Sequence, residues 1–429
     1  MLTVVDLRGY RGDPLTMLPR AQVDRDSARA SVRDVIASVR AGGDAAALTE
    51  RARFGVADGG LRLPAGEVAR ALADAPPALR TAIETASARI RAYHERQLAE
   101  ERAPFWRFGG DGAWVGEETR PVARAGCLVP GGVAPLASTV LMTVLPARIA
   151  GVGSVAVCAT PQSDGSVHPA TLAACAVAGA DEVFALGGPA AVAALAYGTE
   201  SIARADVIVG PGSIWTTIAK HEVCMDVGVD SFAGPTEVLI IADDTAPAAF
   251  VAADMVAQAE HDPLATAVLV TPSTALIDAV DAALEHEVAR ASRSGDIAKA
   301  LSTYGRAVLV DDLDHAVDVA NAFAPEHLEL MCERAEDAAR GVRNAGAVFI
   351  GACSPVALGD YVAGTNHVLP TAGSARFASP LRVSTFLTST AVIAFERAGL
   401  DDVGPALVAL AEAEGLDAHA RALRVRLDA

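Results

Sequence analysis

From residue 125 to 240, short apolar runs of strand length alternate with Ala-rich helical runs, and few folds accommodate that pattern. SVAVCAT (154–160), EVFALGG (182–188) and DVIVGPG (206–212) read as strands, each closed by a turn. HPATLAACAVAGA (168–180) and PAAVAALAYGTE (189–200) read as the helices between them. Strand, helix and strand in this order imply crossover connections. The strands therefore lie parallel, and the loops at their C-terminal ends are available to a ligand. Glycines cluster there: Gly187-Gly188, Gly210-Pro211-Gly212 and the VPGG stretch at 129–132. They permit close backbone approach, although ordinary turn chemistry is the better explanation of glycines alone. No G-x-G-x-x-G fingerprint accompanies them, so a conventional dinucleotide site is not supported by motif.

A second unit repeats the alternation. EVLIIAD (237–243), TAVLVT (266–271), AVLVDD (307–312) and AVFIG (347–351) read as strands, with helices between, one of them from His315 to Phe323. Residues 20 to 105 are different. DRDSARASVRDVIASVRAGG and APPALRTAIETASARIRAYHERQLAEERA are amphipathic helices without evident chemistry, a scaffold or a dimer surface. After Pro380 the chain reads as a small appendage.

Composition narrows the function. At 429 residues, 52% of them apolar and only 4% aromatic, the chain suits an Ala-rich α/β protein of two or more domains. A net charge of −18 argues against nucleic acid and anionic membranes. Six scattered cysteines without a C-x-x-C pair point to thiols in a reducing, cytoplasmic setting. The N-terminal MLTVVDLRGYRGDP has no apolar core of a signal peptide. LASTVLMTVLPARIAGVGSVAV, the longest apolar stretch, is interrupted by Pro146 and Arg148 and makes a poor membrane span.

Chemistry-bearing residues gather in four stretches. In AADMVAQAEHDPLA, Asp244 or Thr245 is expected to cap a helix with Pro247 in its first turn, and Pro263 ends it. Gln258 and His261 then share a face in the last turn. An amide oxygen and an imidazole presented together are half of a borderline metal site. Asp360 and His367 in LGDYVAGTNHVLPT, or Glu414 and His419 in AEAEGLDAHA, offer the other half. In Ala324–Leu330, Pro325 suits a first helical position, which puts Glu326 and His327 in a first helical turn. Adjacent Glu and His provide two bases of different pKa. Each stretch alone has an ordinary explanation: a surface Gln-x-x-His, a helix-dipole Glu, loop caps and a solvated tail. Taken together they describe a metal-dependent α/β enzyme with a Glu-His pair, and the residues alone lead no further.

The stretches VPGGVAPLASTVLM, GTESIARADVIVGPG, AGPTEVLIIAD, AQAEHDPLA, APEHLEL, GDYVAGTNHVLPTAGSARFAS and AEGLDAHARALRVRL occur in the order found in histidinol dehydrogenases. The chain resembles that family over nearly its whole length. The resemblance implies a zinc enzyme that oxidises L-histidinol to L-histidine through histidinal with two NAD. It implies two incomplete Rossmann-like parallel-sheet domains and a homodimer with an interlocking tail. The implied division is a helical N-terminal region at 1–124, a cofactor-side domain at 125–235, a metal and acid-base domain at 236–380, and a tail at 381–429 that supplies a ligand to the partner. The zinc ligands would be Gln258, His261, Asp360 and His419, which would also meet the substrate together with Thr236, His327 and Glu414. Glu326 and His327 would be the acid-base pair; the role of His367 stays open. At the family's three nicotinamide-contact positions, where it has Tyr, Gln and Asn, this chain has Leu128, Ala190 and Ser213. That departure removes aromatic area and amide groups. Two further readings therefore stand beside the dehydrogenase: a paralogue acting on another amino or hydroxy alcohol, and a zinc-binding homologue without NAD binding.

Overall fold

A computed structural model describes every residue of the chain except 19, 22–24, 57–58, 102–104, 111, 132–134 and 429, and the side chains of 25 and 26. Gly132 of the VPGG stretch is therefore outside the described residues. Strand β1 (Thr3–Asp6) is followed by helices α1 (Arg25–Ala52), α2 (Ala65–Ala73) and α3 (Pro77–Glu101), then strands β2 (Phe105–Gly110) and β3 (Ala113–Pro121). At Gly42-Gly43 helix α1 bends sharply, with Gly43 at φ 54, and helix resumes beyond the bend.

The first α/β unit runs β4 (Arg124–Val129), α4 (Ala137–Ala150), β5 (Ser154–Ala159), α5 (Pro169–Ala178), β6 (Glu182–Ala185), α6 (Gly188–Tyr197), β7 (Val207–Val209), α7 (Ile214–Val223) and β8 (Gly228–Val229). The second unit opens with β9 (Glu237–Ala242), α8 (Ala248–Ala259), β10 (Thr266–Thr271), α9 (Thr274–Arg290), α10 (Ser294–Tyr304) and β11 (Arg306–Leu309). It continues through α11 (Leu313–Phe323), β12 (His327–Met331), α12 (Ala335–Gly341), β13 (Ala347–Ile350) and α13 (Val356–Tyr361). Strand β14 (Leu387–Phe395) and helices α14 (Arg397–Ala413) and α15 (Asp417–Leu427) end the fold.

Both units form wholly parallel sheets. The five-stranded sheet has the order β6-β5-β4-β7-β8 and the six-stranded sheet β1-β11-β10-β9-β12-β13. Strand order reverses between β4 and β7 in one and between β9 and β12 in the other, and such reversals open a crevice at the sheet edge. Helices cover both faces, so the central strands are apolar throughout instead of alternating. In β4, Cys127 and Val129 face the cluster under α3, α4 and α5, and Leu128 faces the one under α6 and α7. Gly126 lets α6 come close, since a Cβ there would lie 2.7 Å from Leu195. The long apolar stretch forms α4, a buried core helix, and among the described residues no helix is long and apolar enough to cross a membrane.

Two segments join parts distant in sequence. Strand β1 adds itself to the edge of the six-stranded sheet beside β11. Residues after Pro380 first enter the core of the five-stranded unit through Val383 and Phe386, then pair as β14 with β3 in an antiparallel three-stranded sheet that also holds β2.

Candidate active site

The N-terminal edge of the six-stranded sheet, at its β9/β12 reversal, collects most of the chemistry-bearing side chains. Two local expectations change here. Helix α8 starts at Ala248 with Pro247 as its cap and no side-chain cap. Asp244 instead accepts from the Ser273 hydroxyl, and Thr245 bonds to Asp243, so neither is free to cap. The helix closes at Ala259, which leaves Gln258 in its last turn and His261 just past its end. The second change concerns Glu326 and His327. They do not open a helix: His327 is the first residue of strand β12, and Glu326 precedes it. The segment lies between β9 and β13 and pairs with both, and that pairing overrides the local preference after Pro325.

A continuous hydrogen-bond chain links the site. Gln258 is 2% exposed; its Nε2 donates to Thr236 Oγ1 at 2.8 Å. Thr236 Oγ1 donates in turn to Glu326 Oε2 at 2.6 Å, and the Glu237 backbone N–H donates to the same oxygen at 2.9 Å. His327 Nδ1 donates to the Glu237 carbonyl at 3.0 Å. A carbonyl only accepts, so the imidazole proton sits on Nδ1 and Nε2 carries the free lone pair. That Nε2 lies 3.9 Å from Asp360 Oδ1, and Nδ1 lies 3.6 Å from Glu326 Oε2. His261 is oriented the same way: Nδ1 donates to the Ala257 carbonyl at 3.0 Å and Nε2 remains available.

Among the described residues, Gln258 Oε1 is buried without a hydrogen-bond partner. Buried acceptors are normally satisfied, so an orphan amide oxygen at a helix C-terminus suits a cation. The end of α8 adds to this, because a helix C-terminus carries partial negative charge. Among the described residues no three His, Cys, Asp or Glu side chains of the chain assemble into a metal cage. Glu414 and His419 contribute nothing to the site within one chain: both are exposed, at the end of α14 and in α15.

Burial raises the Glu326 carboxyl above its ordinary pKa, and Asp360 adds to the rise; His327, the Thr236 hydroxyl and the Glu237 N–H pull the other way. His367 is held neutral by burial. Its Nδ1 donates to the Asp360 carbonyl at 3.0 Å, and its Nε2 meets Thr139 Oγ1 at 3.1 Å. Thr139 belongs to α4, so His367 ties the Asp360 segment to the five-stranded unit.

The expected cofactor positions lie on that unit's C-terminal edge. Leu128 is the next-to-last residue of β4, Ala190 is in the first turn of α6, and Ser213 caps α7. Leu128 and Ala190 are each 4% exposed in an apolar cluster, and only Ser213 presents its side chain. Gly210, at φ 109, lets the adjoining turn close on β4, since a Cβ there would lie 2.3 Å from the Leu128 carbonyl. Sequence reasoning missed Glu237, although a glutamate opening the apolar run EVLIIAD was a visible signal. It also missed Arg20 and Thr139, which had none.

Two parallel α/β sheets, a buried Glu-His pair and a set of amide, imidazole and carboxylate donors define a two-unit α/β enzyme. Residues 18–427 match the family model described as histidinol dehydrogenase. The chain is 47% identical to the histidinol dehydrogenase of Thermobifida fusca, covering 100% of this chain and 98% of that protein. It is also 47% identical to that of Nocardia farcinica, with the same coverage. The crystal structure of histidinol dehydrogenase from Elizabethkingia anophelis superposes with a TM-score of 0.93 at 32% identity, covering 100% and 98% of the two chains. The chain belongs to the histidinol dehydrogenase family and is an oxidoreductase.

Proposed function

We propose that the protein oxidises L-histidinol to L-histidine through L-histidinal, using zinc and two NAD, as a homodimer with shared active sites. The orphan oxygen of Gln258 carries this reading, because it stands where the resemblance asks for a zinc ligand. Gln258 Oε1, His261 Nε2 and the Asp360 carboxylate would hold the metal from one chain, with His419 of the partner subunit completing a four-ligand set. Zinc, when bound, would supply a cationic anchor for the substrate, and NAD would be the oxidant for each of the two steps.

The remaining work falls to the chain's own groups. His327 Nε2 has its lone pair free and takes the alcohol proton in the first oxidation. Glu326, raised by burial and aimed by Thr236 and the Glu237 N–H, activates water for addition to the aldehyde in the second. Thr236, and Glu414 of the partner subunit, would serve as substrate contacts. Exposed apolar side chains on β2, β14 and α14, including Phe105, Phe108, Ile393 and Leu410, support burial of this region against a second copy.

NADH formation with histidinol and a panel of other amino and hydroxy alcohols tests the proposal. Preference for histidinol is expected; preference for another alcohol replaces the substrate assignment. A second reading, a zinc-binding homologue with weakened NAD binding, is supported by the buried apolar Leu128 and Ala190. Calorimetry with NAD separates the two, and tight binding by the unaltered protein removes the second.

A further inference from the structure

Glu237 is 2% exposed, and its peptide serves both members of the acid-base pair: the N–H holds Glu326 and the carbonyl holds His327. Its side chain is held by Arg20, far away in sequence. Arg20 Nε donates to Glu237 Oε2 at 2.8 Å and Nη2 to Oε1 at 3.2 Å. The same Nη2 also donates to the Phe323 carbonyl, and the guanidinium lies 3.8 Å from the centre of the Phe323 ring.

Phe323 is the last residue of α11. Ala324 follows it at φ 49 and ψ 65, a left-handed conformation that is unfavourable for a residue with a Cβ, and the chain then passes through Pro325 to Glu326. One side chain therefore binds the strand whose backbone orients the pair and the strained turn that delivers Glu326. Gly373 makes room for it, since a Cβ there would lie 2.8 Å from Arg20 Nη1.

We propose that Arg20 is a positioning residue for the acid-base pair, clamping the Phe323–Ala324 turn against Glu237 so that Glu326 and His327 keep their relative placement. This rests on the reading of Glu326 and His327 as that pair. A planar guanidinium is required, because it supplies the carboxylate fork, a third acceptor contact and a stacking face together, which an ammonium does not.

Arg20→Met alone leaves Glu237 as an unpaired buried carboxyl, which destabilises the fold. The test therefore compares Arg20→Met/Glu237→Gln with Glu237→Gln, where the clamp on Phe323 persists. Zinc content and KM for histidinol should match between the two. The kcat of the double variant should fall on the order of tenfold to a hundredfold, as for a misplaced catalytic group. Arg20→Lys should not restore kcat. Equal kcat in the two variants overturns the proposal, and so does a parallel loss of zinc, KM and thermal stability, which marks a merely structural role. Crystal structures of both variants give a readout independent of substrate. A displaced Phe323–Glu326 turn is expected in the double variant, and an unmoved turn overturns the clamp. A displaced turn in a protein whose unaltered form leaves histidinol untouched overturns the functional reading and leaves the clamp standing.

Discussion

The two parallel sheets are built alike and carry their candidate residues at opposite edges. In the five-stranded sheet, Leu128, Ala190 and Ser213 stand at the C-terminal ends of the strands, beside the N-termini of α6 and α7. In the six-stranded sheet, Thr236, Glu326 and His327 stand at the N-terminal ends, beside the C-terminus of α8. A strand's C-terminal edge receives helix N-termini, whose free N–H groups suit anions such as phosphates. Its N-terminal edge receives helix C-termini, whose carbonyls suit cations. The polarity of a βαβ unit thus separates a surface suited to a dinucleotide from one suited to a metal, and the Thr139–His367 contact brings the two edges together.

The buried charges differ accordingly. The five-stranded unit uses the buried Lys220–Asp230 pair on the backbone of Gly210, where it shapes a turn. The six-stranded unit buries Glu237, Glu326, His327 and Glu329 around its reversal point. The five-stranded unit pairs its buried lysine with a carboxylate, whereas the six-stranded unit pairs Glu237 with Arg20 and sets Glu326 beside His327.

The largest expected effect tests the metal side. Gln258→Ala or His261→Ala should lose zinc and more than about a hundredfold in activity, beyond what an outer-shell partner usually contributes, with the fold intact. Metal analysis finding full zinc in His261→Ala would remove the assignment.

Nearly as large is the effect of mixing subunits. His261→Ala and His419→Ala homodimers should both be inactive. A co-expressed heterodimer should regain about half of a normal dimer's activity, since one of its two sites is assembled from the two good parts. Heterodimers that form and remain inactive would rule out shared sites.

Glu326→Gln should affect the two oxidations unequally. Alcohol oxidation should fall mildly and the aldehyde step by about 10²–10⁴, the usual contribution of a general base. Measured with each substrate separately, equal losses would argue against distinct roles for Glu326 and His327.

A stability effect follows from Glu329, whose carboxyl burial, aided by Asp254, pushes from 4.5 up to about 8. The folded state binds this proton more tightly than the unfolded state. Stability from this group is therefore fully present below about 4.5 and is lost as pH rises through about 8. Glu329→Gln should match the unaltered protein in acid and unfold at higher temperature in alkali; calorimetric scans showing no pH-dependent difference would contradict this.

The smallest effect lies on the cofactor side. Ser213 is exposed, and Ser213→Asn should tighten NAD only several-fold, about one hydrogen bond's worth. Leu128→Tyr overfills an apolar cluster and should destabilise by about 1–3 kcal/mol. NAD affinity unchanged in Ser213→Asn, by titration calorimetry, would detach this position from the cofactor.

Much of this was legible in the residues. The run of EVFALGG, PAAVAALAYGTE and DVIVGPG specified parallel strands and crossover helices because each must bury an apolar surface of matching period. The helix that carries Gln258 was also legible, because apolar spacing and Pro263 mark it locally, whereas His261, expected in its last turn, lies just past its end. Other features depended on distance. Pro325-Glu326-His327 has the local pattern of a helix start, and only the flanking strands β9 and β13 make His327 part of a strand. Asp360 reaches His327 through the packing of separate elements, and Arg20 reaches Glu237 and Phe323 from 217 and 303 residues away in sequence. Local sequence determines how a segment pairs with itself; which buried polar groups meet is decided when remote segments share one core and must satisfy each other's hydrogen bonds.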